Sequence, residues 1–234
     1  MTNQKPERKM MQRGPHAPRH DADHLTSRQR ELENIERTLV FMSDDPGLEG
    51  RIKVFVGARD ADKTMFLRGV QKLAEKRNFS TIWVSAVHGA FLDSLLRECG
   101  RISGTWTESA RQTFSELLER TSKSFCDRGV EAAGIAESPM SRFRASLSRQ
   151  LQEVISFVGE QERVVNSGAI LLIDDVQDAD AETLRALSYA WQQMQSESPD
   201  LPLMTICAGS ANAQDIITDA VSIGERFEYT YLGN

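Results

Sequence analysis

Residues 51–64 read Arg-Ile-Lys-Val-Phe-Val-Gly-Ala-Arg-Asp-Ala-Asp-Lys-Thr. An apolar run over 52–56 leads into a tight turn, and then into a segment whose Phe66, Leu67, Val70, Leu73 and Ala74 fall on one helical face. Strand, turn and helix in that order are the layout of a phosphate-binding loop of the form GxxxxGK[ST], and Gly57, Lys63 and Thr64 stand at the required spacing. Asp62 occupies the place of the second glycine, and Asp60 another place where such loops often carry glycine. The stretch announces an anion site and loads it with two negative charges.

The chemistry asks for these residue types. Consecutive backbone N–H groups and the positive end of a helix converge on an anion. Lys63 would reach the β- and γ-phosphates of a nucleotide, and the Thr64 hydroxyl would ligate Mg²⁺. Glycine before the lysine permits close backbone approach to phosphate, whereas the Cβ and carboxylate of Asp62 obstruct it. Two like charges about 4 Å apart repel by roughly 4 kcal/mol at an effective dielectric near 20. That energy corresponds to about a thousandfold in affinity.

A second anchor lies far along the chain. Residues 169–173, Ala-Ile-Leu-Leu-Ile, form a continuous apolar run of the kind expected for a central strand covered on both faces, and it ends in Asp174-Asp175. This is the form of a Walker B strand: Asp174 would hold the metal and Asp175 would polarise the attacking water. The bland alternative is a pair of acids that ends a strand and caps the next helix. The loop and the acids together favour the site, because ligands of parallel sheets gather at the strands' carboxyl ends.

The remaining elements follow outward from these two. A helix is expected from Ser27, with Leu32, Ile35, Leu39 and Val40 on one stripe, ending at the turn cluster 43–47. The loop 57–62 should give way to a helix from about Lys63 to Arg77, and residues 80–87 to a second strand that completes a parallel βαβ unit. Helices carrying Phe91 to Cys99 and Phe114 to Phe125 follow, then an irregular excursion over 127–140, then a helix over 141–162. After the Asp174 strand come a helix over 181–195, a strand over 203–208, a short helix near 212–220 and a last strand near 227–232.

Composition narrows the class. The chain has 234 residues, 40% hydrophobic and 26% charged, with no apolar run long enough to span a bilayer and no apolar core for a secretory leader, so a cytoplasmic location is the default expectation. Cys99, Cys126 and Cys207 lack paired spacing and read as small buried hydrophobes. The net charge of −6 gives no nucleic-acid footprint. Residues 1–24 run the other way, with five Lys or Arg against three acids, three prolines and three of the four histidines, so residues 1–25 are expected to be a disordered basic tail ahead of one domain, 26–234. Such a tail leaves contact with nucleic acid or an acidic partner open.

From about Ser27 to Asn234 the chain resembles the AAA+ ATPases of the origin-recognition-like and STAND groups, specifically bacterial ATP-binding proteins whose sequences read GRExEL, GxRGxGKT, LLxIDExQDA, an AG turn and an ER-F segment. The matching residues are Arg28, Glu31 and Leu32; Gly57, Arg59, Lys63 and Thr64; Leu171 to Asp174 with Gln177, Asp178 and Ala179; Ala208 and Gly209; and Glu225, Arg226 and Phe227. The resemblance implies a three-layer α/β P-loop NTPase fold of the ASCE/AAA+ kind, with a central parallel five-stranded sheet in order 5-1-4-3-2 and a helical insertion between strands 2 and 3. It implies ATP and Mg²⁺ as ligands, adenine held near Arg28, and Gly57, Arg59, Lys63 and Thr64 as nucleotide-binding residues. It also implies Arg226 as a charge sensor or arginine finger on a neighbour's γ-phosphate, and hence self-association. A surface arginine beside Glu225 is the plain reading of the same residue. Ser210 or Asn212, just past the fourth strand, would orient the attacking water.

The departures from the pattern define the functional question. Ser27 replaces a glycine, Asp175 a glutamate, and Asp60 and Asp62 both loop glycines; the resemblance also implies a helical lid that residues up to 234 do not supply. Three readings stand at this stage: an ATP-binding domain with weakened Mg²⁺-dependent hydrolysis, a pseudo-ATPase kept as a protein-interaction or regulatory module, and a truncated remnant of a larger ATPase.

Overall fold

The computed structural model describes residues 19–57, 60–87, 90–126, 139–221 and 226–232, and of residues 19–27, 60–62, 123–126 and 139–146 the backbone alone. Five strands, β1 (Ile52–Val56), β2 (Phe79–Ser85), β3 (Gly168–Asp174), β4 (Leu203–Gly209) and β5 (Phe227–Tyr231), form one sheet in the order β2-β3-β4-β1-β5. All four pairings are parallel. The order is the expected 5-1-4-3-2 read from the other edge.

Side-chain alternation builds the three layers. Ile170 and Leu172 of β3, Met204 and Ile206 of β4 and Phe55 of β1 face one side, where α1 (Arg19–Asp44) and α2 (Asp60–Lys76) cover them with Ile35, Leu39, Phe66, Leu67 and Val70. Ala169, Leu171 and Ile173, with Val54, Val84 and Cys207, face the other side. There α3 (Phe91–Ile102), α4 (Glu108–Cys126), α5 (Pro139–Val165), α6 (Ala181–Glu197) and α7 (Ala213–Ala220) contribute. Every residue of β3 and of β4 is buried, as a strand covered on both faces requires. The helices α3, α4 and α5 are the helical insertion between β2 and β3.

Two starts differ from expectation. The first helix begins at Arg19, not Ser27, so residues 19–25, assigned above to the tail, lie in α1. Its first two turns carry few apolar residues, which hides them from a periodicity reading, while Pro18 stands just ahead of Arg19, where proline limits a helix upstream. The second helix begins at Asp60, three residues before Lys63. Aspartate is favoured in a first helical turn by free N–H groups and the macrodipole, so the two residues that replace glycine also lengthen the helix. Residues 1–18 and 127–138, including the excursion expected over 127–140 as far as 138, lie outside the described residues.

The insertion is fastened to the sheet by a buried carboxylate. Glu162 on α5 is fully buried, and it accepts hydrogen bonds from Trp106 Nε1 at 2.6 Å and Asn166 Nδ2 at 2.8 Å. Asn166 also reaches Ser80 Oγ on β2 at 3.1 Å. Trp106 stacks its edge on Phe114, with ring centroids 5.0 Å apart, so one residue joins the α3–α4 link, α4 and α5. Cys99 and Cys207 are buried hydrophobes, and burial pushes both thiols up. Replacing Trp106 by Phe keeps an aromatic ring and removes one donor from a buried charge; we expect a loss of about 2–3 kcal/mol in urea unfolding. A change within about 0.5 kcal/mol of zero would show that the hydrogen bond carries no load.

Candidate functional site

The parallel sheet brings the ends of β1, β3 and β4 to one edge. Gly57, just past β1, donates its N–H to Gly209 O at the end of β4, at 3.1 Å. Lys63 follows on α2 with its side chain fully buried and Nζ 3.5 Å from Gly57 O. The next residue, Thr64, donates its hydroxyl to Asp174 Oδ2 at 2.9 Å, across 110 residues of sequence. The loop lysine, the loop threonine and the acid ending β3 are thus one constellation.

Asp174 is buried, and its carboxyl is pushed above the ordinary aspartate range. Burial is the largest cause; the Thr64 hydroxyl opposes it, the Asp175 charge adds to it, and the Asp175 N–H and the Lys63 charge oppose it in turn. Asp174 Oδ1 takes that N–H at 3.1 Å.

Asp175 adopts a left-handed backbone, φ 53° and ψ 46°, which a residue with a Cβ enters only at some cost. The turn it makes starts a short 3₁₀ segment, Val176–Asp178, in which Val176 is buried and Gln177 half-buried. Gln177 Nε2 donates to Asp175 Oδ1 at 3.2 Å, and Gln177 Oε1 accepts from the Ser210 N–H at 2.9 Å. Ser210 Oγ is 2.5 Å from Asn212 Oδ1, in the turn that opens α7. Gly209 makes this contact sterically feasible, since a Cβ there would lie 2.6 Å from Ala213 Cβ, 2.9 Å from Val176 Cγ1 and 3.2 Å from Gln177 Oε1. Sequence reasoning placed Asp175, Ser210 and Asn212 near each other and missed the side chain that joins them.

The other expected residues divide. Arg28 is half-buried on α1. Leu32 packs over Gly69 and Glu36 pairs with Arg77 at 2.8 Å, so α1 and α2 run in the same sense and Arg28, nine residues into α1, lies in its half toward the start of α2. Arg59 and His88 lie outside the described residues, as does Glu225. Arg226 is not brought to the loop that follows β1. Its neighbour Phe227 pairs with Ile52, at the opposite end of β1 from Gly57. The guanidinium donates to Ser188 Oγ at 3.0 Å and to Gln192 Oε1, and stands 5.0 Å over the Tyr189 ring, all on α6. Five strand residues, about 17 Å, separate it from the loop.

No protein-family profile matches the sequence, and no curated protein does. Solved structures match in shape. The Aeropyrum pernix ORC2 protein, in its ADPNP–ADP complexes, aligns with a TM-score of 0.52 at 13% identity, over 87% of this chain and 47% of its own. Its ADP form gives 0.50 at 12%, over 86% and 47%. A chain of Drosophila ORC bound to GC-rich DNA and Cdc6 gives 0.51 at 9%, over 94% and 61%. The fold, three layers around a parallel five-stranded sheet, matches that of these ORC structures. This chain spans 47% to 61% of the length of these ORC structures, and the likeness is one of fold.

Substituting Gly209 by Ala should destabilise the protein by about 1–3 kcal/mol, read from the denaturant midpoint, because the new methyl meets Ala213 and Val176 below contact distance. An unchanged midpoint would show that the end of β4 can move aside.

Proposed function

We propose that residues 26–234 form an ATP-binding module of the AAA+ type, with an inherited Mg²⁺-dependent hydrolysis that Asp60 and Asp62 weaken. The observation that carries the reading is the Thr64 to Asp174 hydrogen bond at 2.9 Å beside the buried Lys63. A hydroxyl and a carboxylate are hard oxygen donors, and Mg²⁺ takes one or two protein oxygens together with phosphate oxygens and water. Among the described residues no cluster of three or more His, Cys, Asp or Glu side chains makes an all-protein metal site, which fits a cation held jointly with nucleotide. Thr64 and Asp174 would hold it, and the ion would neutralise charge developing on the phosphates.

The roles of the other residues follow. Lys63 binds the β- and γ-phosphates, and Gly57 and Arg59 belong to the loop that surrounds them. Arg28 lines the adenine end. Asp175 orients and polarises the attacking water. Arg226, fixed on α6 at the far end of the sheet, would serve only a nucleotide on a neighbouring subunit, so its role requires self-association. The DNA and Cdc6 of the Drosophila structure belong to that protein. A protein partner or nucleic acid for this chain is a further proposal, which the net charge of −6 does not favour for DNA. No helix among the described residues is long and apolar enough to cross a membrane.

A second reading, the pseudo-ATPase, draws on the start of α2. With the helix beginning at Asp60, its first and third residues are both acidic, in the turn whose free N–H groups would otherwise serve phosphate. Calorimetric titration with ATP and Mg²⁺ separates the two readings. We expect weak binding by the unmodified chain, binding about 100- to 1000-fold tighter for Asp60→Gly/Asp62→Gly, and none for Lys63→Ala. Binding seen only in the double variant makes the native chain a regulatory module; tight binding that the double variant leaves unchanged removes the proposed role of the two aspartates.

A further inference from the structure

We infer that Gln177 is a positioning residue for Asp175, coupling its carboxylate to the backbone just past β4. The inference deepens the hydrolytic reading and rests on it for its consequence in turnover.

A glutamine amide has one donor end and one acceptor end, and here the partners dictate which is which. The carboxylate Asp175 Oδ1 accepts only from Nε2, at 3.2 Å, and the Ser210 N–H donates only to Oε1, at 2.9 Å. Gln177 cannot rotate to suit one partner without abandoning the other. The backbone on both sides is shaped for this bridge. The left-handed turn at Asp175 brings Gln177 back beside its carboxylate, and the missing Cβ at Gly209 leaves room for the amide oxygen. Beyond Ser210 the link continues: Ala213 N–H donates to Ser210 O at 2.9 Å and Ile216 N–H to Asn212 O at 3.1 Å, both at the start of α7. A displaced Asp175 carboxylate is therefore felt at Ser210, and a shift at the end of β4 re-aims the carboxylate. A purely structural glutamine would need only the acceptor end, to satisfy the Ser210 N–H.

Amide NMR of the full chain without nucleotide tests the coupling. Asp175→Ala removes the acceptor and should shift the Ser210 backbone amide, two hydrogen bonds away. In a Gln177→Met background the same change should leave Ser210 in place. A Ser210 amide that ignores Asp175→Ala, or responds equally without the glutamine, overturns the inference. Should Gln177→Met not fold, Gln177→Glu carries the comparison, because it keeps the acceptor for Ser210 and loses the donor for Asp175. In single-turnover phosphate release with ATP and Mg²⁺, Gln177→Glu should be about tenfold slower with a Kd within about threefold of the parent; equal rates count against positioning. Should the parent release no phosphate above the Asp175→Ala background, hydrolysis itself fails, and the Ser210 spectra alone decide the coupling.

Discussion

Two neighbouring strands, β3 and β4, are buried on both faces, and the rest of the chain is arranged to keep them so. A strand with no solvent face cannot use alternation to choose a side, so both of its sides must be supplied with helices. Parallel pairing then forbids short turns, because each return needs a crossover, and the crossovers are those helices. The same geometry points the carboxyl ends of β1, β3 and β4 to one edge, where Gly57, Asp174 and Gly209 meet. The site is a by-product of burying the sheet, which is why Thr64 can donate a hydrogen bond at 2.9 Å to Asp174, 110 residues away in sequence.

Electrostatics at that edge are lopsided. Lys63 contributes one fully buried positive charge, while Asp174 and Asp175 stand at the strand end and Asp60 and Asp62 open the helix that carries the lysine. A buried ammonium is tolerated only where negative charge or hydrogen-bond acceptors surround it. Incoming phosphate would meet the carboxylates of Asp174 and Asp175 beside that lysine. The raised carboxyl of Asp174 belongs to the same imbalance: burial and the adjacent Asp175 outweigh the help of Thr64 and Lys63.

Most of the architecture was legible because it is written in apolar spacing. The continuous run at 169–173 identified the central strand and the stripe from Phe66 to Ala74 identified α2, whereas the strand order came from the family resemblance and not from spacing. What escaped was polar and local. The first turns of α1, Arg-His-Asp-Ala-Asp-His, carry no stripe, and their helicity shows only in the backbone. The extra turn of α2 comes from aspartates that read as loop residues in a glycine motif. Gln177 was visible as a letter of a motif, but its bridge depends on a left-handed aspartate and on a glycine 32 positions later, and no periodicity encodes either. Arg226 immediately precedes β5, and its place at the opposite end of β1 from Gly57 follows from register, which spacing alone does not give.

The position of β1 between β4 and β5 also governs how the protein comes into being. Lys53 pairs with Ile206 on one side and Glu228 on the other, so its strand has no sheet neighbour until β4, which begins at Leu203, has been made. Contacts this distant in sequence close large loops before they return any stabilisation, and they are the slow kind. β2, by contrast, waits only for β3, and the two can form a half-sheet under α3 and α5 first. β1 is made before either of the strands that flank it, and the sheet closes around it only when β4 and β5 have followed.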